Sequence, residues 1–105
     1  MRTKQRRTAP RVACFVPVLC THGRSTHTAM VLDMATRGLR IRVPRRMRPG
    51  GRVSLHYPAV PGASSAPPRV TARVVWCKGQ GATFESGIEF EGDPIFWVPV
   101  LLGRA

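Results

Sequence analysis

Acidic residues are what this sequence has least of. Five Asp+Glu face 17 Lys+Arg, for a net charge of +12. Glu85, Glu89, Glu91 and Asp93 fall late, and only Asp33 stands earlier. So sparse a set offers no carboxylate pair for acid–base work. With no nucleophile–base pair or metal cluster beside it, the chain does not read as an enzyme. Cysteine is also thin: Cys14, Cys20 and Cys77 are odd in number and form no C-x-x-C. That excludes a disulfide framework and a zinc site, and it fits a reduced cytoplasmic compartment. His22, His27 and His56 lack metal-ligand spacing, so neither a metal nor another cofactor is expected. Long hydrophobic runs are missing too. Pro17 breaks the apolar run after "MRTKQRRTAPR", and no small-x-small cleavage site follows closely, which argues against a secretory signal. "IFWVPVLLG" is too short to span a bilayer, so no membrane insertion is expected.

What is abundant is arginine, which supplies 15 of the 17 basic residues. Arg2, Lys4, Arg6, Arg7 and Arg11 load the N-terminus. Arg37, Arg40, Arg42, Arg45, Arg46, Arg48 and Arg52 load a central stretch. Such a surface favours anionic partners: nucleic acid, anionic lipid or a phosphorylated small molecule. A guanidinium grips phosphate and guanine edges with a two-pronged fork, as an ammonium cannot. At 105 residues and 43% hydrophobic, the chain suits one domain with a small core.

Residues 1–11 carry no apolar period and read as a flexible basic arm; residues 12–105 read as a single domain. Six strand-like segments follow the arm. They are 12–20, 26–33, "GLRIRV" (38–43), "RVSLHY" (52–57), "RVTARVVW" (69–76) and "TFESGIEF" (83–90). Alternation places Leu39, Ile41 and Val43 inward with Arg40 and Arg42 outward. It likewise sends Val53, Leu55 and Tyr57 inward, then Val70, Ala72, Val74 and Trp76, and then Phe84, Ile88 and Phe90 with Glu85 and Glu89 outward. Trp76 is thus expected in the core. "PRRMRPGG" is a turn-rich breaker, "PAVPGASSAPP" a loop and "KGQG" a turn. Short strands at this spacing predict an all-β, six-stranded antiparallel barrel. Asp93 as N-cap and Pro94 at the first helical position predict a short C-terminal helix.

The spacing Arg-x-x-x-Arg occurs five times, at 2/6, 7/11, 42/46, 48/52 and 69/73. Chance alone gives roughly two such pairs at this arginine content, so the spacing carries little by itself. Position distinguishes Arg7 and Arg11: they lie on the arm that enters the first strand. The second informative stretch is "DMATRG" (33–38), at the turn between the second and third strands.

With "TARVVWC" and "FESGIEFEG", these features make the chain resemble the PilZ domain family of bacterial cyclic di-GMP receptors, over nearly the whole chain. Arg7 and Arg11 match the family's R-x-x-x-R arm. Asp33 and Gly38 match its D/N-x-S-x-x-G turn. The motif serine is replaced by Ala35, which removes a hydroxyl worth about 1.5–3 kcal/mol if it met a charged group, or roughly ten- to a hundredfold in affinity. The resemblance implies a site for cyclic di-GMP at Arg6, Arg7, Arg11, Asp33, Ala35 and Gly38. Arginine would bind phosphate, pair with guanine O6/N7 or stack on a base. Asp33 would accept from guanine N1–H and N2–H. Gly38 would permit a positive φ or close ligand approach. Arg6, just before the motif, accompanies a stacked pair of ligands in the family, which implies two ligands per chain.

Each residue also has a plainer reading. Arg6, Arg7 and Arg11 are then solvated tail charges, Asp33 caps its own turn, and Gly38 serves a turn without a ligand. Three functions stay open. The first is a cyclic di-GMP receptor module that changes conformation and docks on a downstream protein. The second is a PilZ-like interaction domain that binds no cyclic di-GMP. The third is a small basic barrel that binds nucleic acid through residues 37–52. The third lacks aromatics interleaved with its basic residues, so nucleic acid is not the expected partner.

Overall fold

The computed structural model describes residues 12–57, 62 and 69–92. The expected arm residues Arg6, Arg7 and Arg11 and the expected C-terminal helix from Asp93 lie outside the described residues. The six strands are β1 (Val12–His22), β2 (Ser25–Ala35), β3 (Gly38–Val43), β4 (Arg52–His56), β5 (Arg69–Gln80) and β6 (Thr83–Phe90). They close into a barrel in the order β1-β2-β3-β6-β5-β4, and every neighbouring pair is antiparallel. Closure is made by a short contact, in which β1 meets β4 through Leu19, Cys20 and Thr21.

The core follows from alternation. Leu39, Ile41 and Val43 of β3 meet Val53 and Leu55 of β4 and Val70, Ala72 and Val74 of β5 inside the barrel. Tyr57 is buried with them. Met47, within the predicted breaker, is also fully buried: its side chain enters the barrel, and its backbone N–H donates to Cys77 Sγ at 3.4 Å. Cys14, Cys20 and Cys77 are free thiols. Burial pushes the Cys20 thiol up to about 11; burial, and then the charge of Asp33, raises that of Cys14.

Two bulges change which residues face out. In β2, Val31 pairs with Ile41 and Asp33 pairs with Arg40, so Leu32 is an extra residue. Strict alternation would put Asp33 on the core face with Val31. The bulge shifts the phase, sends Asp33 outward beside Arg40 and returns Met34 to the core. In β5, Val74 pairs with Ile88 and Trp76 with Gly87, leaving Val75 as the extra residue. Trp76 is therefore not in the core: it lies on the outer face and is 38% exposed. β5 also continues through Gln80, so the expected "KGQG" turn is strand and the turn is Gly81–Ala82. A third irregularity, between Ala13 and Val16 of β1, holds Phe15 at φ 42° and leaves it exposed.

Candidate ligand-binding site

The β2–β3 hairpin carries the "DMATRG" stretch. Asp33 and Ala35 share the outward face at the end of β2, Ala35 pairs with Gly38, and Thr36 and Arg37 form the exposed turn. Of the six site residues expected from the sequence, the structure thus brings Asp33, Ala35 and Gly38 together on one hairpin. Arg6, Arg7 and Arg11 lie outside the described residues.

Gly38 has a cause that the sequence did not disclose. Its φ is not in the left-handed region. Instead it sits opposite Glu89 of β6, where a Cβ would run into the Ile88 carbonyl oxygen and lie 3.2 Å from the carbonyl carbon. The glycine lets β3 and β6 approach. A positive φ is therefore not its reason.

Asp33 is held by Arg40, whose Nε donates to Oδ2 at 2.9 Å and whose Nη2 lies 2.8 Å from the same oxygen. Arg40 Nη1 donates to Glu85 Oε1 at 3.0 Å, and Arg42 Nη2 lies 3.7 Å from Glu85 Oε2. Glu85 does point outward as alternation predicts, yet the two guanidinium groups cover it and it is buried. The hydrogen bond that Arg40 donates to Asp33, more than any other influence, raises the Arg40 pKa and keeps that guanidinium charged.

Beside this network lies a groove of about 570 Å³, lined by Asp33, Arg37, Arg40, Trp76, Gly87 and Glu89 among others. That volume is in the range of small-molecule sites. Gly87 makes room for the Trp76 ring, since a Cβ there would collide with the indole Nε1. The groove therefore offers an indole face for stacking, the Arg37 guanidinium for a phosphate or base edge, and the carboxylates of Glu89 and the Arg40-bound Asp33 as acceptors. No group of His, Cys, Asp and Glu among the described residues could hold a metal ion.

Sequence reasoning missed Trp76, Arg40 and Gly87 as groove residues. A signal for Trp76 was present: Val74, Val75 and Trp76 are three consecutive apolar residues, and strict alternation cannot bury all three. For Arg40 the local pattern showed only an outward side chain, because Glu85, its second partner, is 45 positions away.

The described residues contain no helix long and apolar enough to cross a membrane. No curated protein matches the chain. The family model for the PilZ domain matches residues 5–95, a span that includes Arg6, Arg7 and Arg11, all six strands and the Asp33–Gly38 hairpin. By that match the chain belongs to the PilZ domain family, a family of cyclic di-GMP-binding adaptor domains.

Proposed function

We propose that this chain is a cyclic di-GMP receptor module that acts as an adaptor: it binds the dinucleotide, changes conformation and docks on a downstream protein in the cytoplasm. The observation that carries the reading is the groove that joins Asp33, Arg37 and Arg40 to the exposed indole of Trp76. Its chemistry complements a ligand with two guanines and two phosphates. The indole stacks on a base, and a guanidinium fork takes a phosphate or the guanine O6/N7 edge. Glu89 and Asp33 are the acceptors for guanine N1–H and N2–H. Arg7 and Arg11, with Arg6, complete the site by gripping phosphate or guanine edges. The domain performs no catalysis of its own.

A second reading has its own support. Ala35 provides no hydroxyl, and Asp33 already engages Arg40. Both features suit a PilZ-type interaction domain that has given up the ligand. Calorimetric titration with cyclic di-GMP, with GTP and short duplex DNA as controls, separates the readings. Saturable heat with cyclic di-GMP alone supports the receptor, and a stoichiometry of two that falls to one in Arg6→Leu supports the stacked pair. No heat with cyclic di-GMP in the intact chain supports the ligand-free domain.

A further inference from the structure

The antiparallel order brings three connections to the barrel end opposite the Asp33–Gly38 turn. They are Gly23–Arg24 between β1 and β2, residues 44–51 between β3 and β4, and Gly81–Ala82 between β5 and β6. These connections hold Arg24, Arg45, Arg46 and Arg48 and no acid. Among the described residues, none of these four is in an ion pair. Four of the five strand arginines differ: Arg40 and Arg42 are held by Asp33 and Glu85, and Arg52 and Arg73 by Glu91. His22 and His27 stand beside the cluster, with Arg45 and His22 close enough to act on His27.

The longest connection is built rather than loose. Met47 anchors it in the core. Gly50 N–H donates to the Val74 carbonyl at 2.7 Å, and Gly51 N–H to the Arg48 carbonyl at 3.0 Å. The Arg46 guanidinium lies 4.9 Å from the centre of the Phe84 ring. Arginines projecting from a fixed backbone lose less freedom when a partner binds them.

We propose that this arginine end is a docking surface for a carboxylate-rich face of a partner protein. The inference goes beyond the nucleotide site and stands without it. A nucleic-acid backbone asks for a track of free cations. Residues 37–52 look like one in the sequence, but Arg40, Arg42 and Arg52 are engaged by carboxylates, which leaves Arg45, Arg46 and Arg48 on one short connection. Single-stranded nucleic acid also asks for exposed rings, and here Phe84 lies under Arg46. A lipid surface asks for apolar side chains to insert, and Met47 points into the barrel. A compact set of guanidinium forks suits clustered Asp and Glu side chains, which accept them two-pronged.

The test uses the full chain and poly-L-glutamate as probe, read by fluorescence anisotropy. Two variants each remove two charges: Arg45→Gln/Arg48→Gln at this end, and Arg2→Gln/Arg69→Gln outside this set, with circular dichroism as the check that both fold. The expected result is a roughly tenfold loss of affinity in the first and at most about twofold in the second. No binding by the parent, or a loss in the second variant equal to or greater than that in the first, overturns the proposal. So does a larger loss in the first variant toward short duplex DNA or phosphatidylglycerol vesicles than toward polyglutamate.

Discussion

Replacing Gly38 with alanine tests whether this residue serves the barrel or the ligand. The added Cβ would overlap the Ile88 carbonyl oxygen and lie 3.3 Å from Glu89 Cα. Both neighbours are backbone, so no side chain can rotate away. β3 and β6 must separate at the first of their six paired positions, Gly38 opposite Glu89. Overpacking of this kind costs about 1–3 kcal/mol. At ~4–8 °C per kcal/mol for a domain of this size, a loss near 2 kcal/mol lowers the melting midpoint by about 8–16 °C. Gly87→Ala is the comparison. Its Cβ meets the Trp76 indole, which is partly exposed and can turn outward, so the expected loss is below about 1 kcal/mol. Differential scanning fluorimetry of both variants, without ligand, measures the contrast. If Gly38→Ala melts within about 2 °C of the parent yet binds cyclic di-GMP more weakly, the strand-spacing argument is wrong and the glycine serves ligand approach.

The arm predicts loss of binding: each of Arg7→Ala and Arg11→Ala should cost about 1.5–3 kcal/mol toward cyclic di-GMP by calorimetry, and an unchanged affinity in the double variant would return both to the solvated tail. Ala35→Ser should tighten binding roughly ten- to a hundredfold if the hydroxyl meets a charged group of the ligand; no gain means the hydroxyl meets nothing there. Arg40→Met should destabilise the fold by about 1–2 kcal/mol in urea unfolding, because it leaves buried Glu85 with Arg42 alone; the figure is modest because Arg40 is 38% exposed and water screens its pairs. Burial, with Arg45 and His22 for His27 and Arg69 for His56, lowers both histidine pKa values in the fold. The unfolded chain therefore binds protons first, so stability is full above about pH 6.5 and falls as pH drops through that value. The melting midpoint should drop between pH 7 and 5, and a drop of equal size in His27→Gln/His56→Gln would remove the histidines as its cause.

Much of this protein was legible in the sequence because alternation is a local property. "GLRIRV" and "RVSLHY" specify their faces residue by residue, and the structure has Leu39, Ile41, Val43, Val53, Leu55 and Tyr57 buried. The six strands, and the hairpin that carries Asp33 and Gly38, follow from such patterns and from the turn residues between them. Tertiary structure decided what depends on pairing. The bulges at Leu32 and Val75 arise from register against β3 and β6, and they turn Asp33 and Trp76 outward where simple alternation would bury both. Partner strands also fixed which charges are free. Arg40 and Arg46 look alike in a basic stretch, yet one is clamped between Asp33 and Glu85 while the other lies over Phe84 with no ion pair among the described residues. Composition set the excess of positive charge; barrel closure distributed it, because the few acids neutralise only the arginines that register brings within reach.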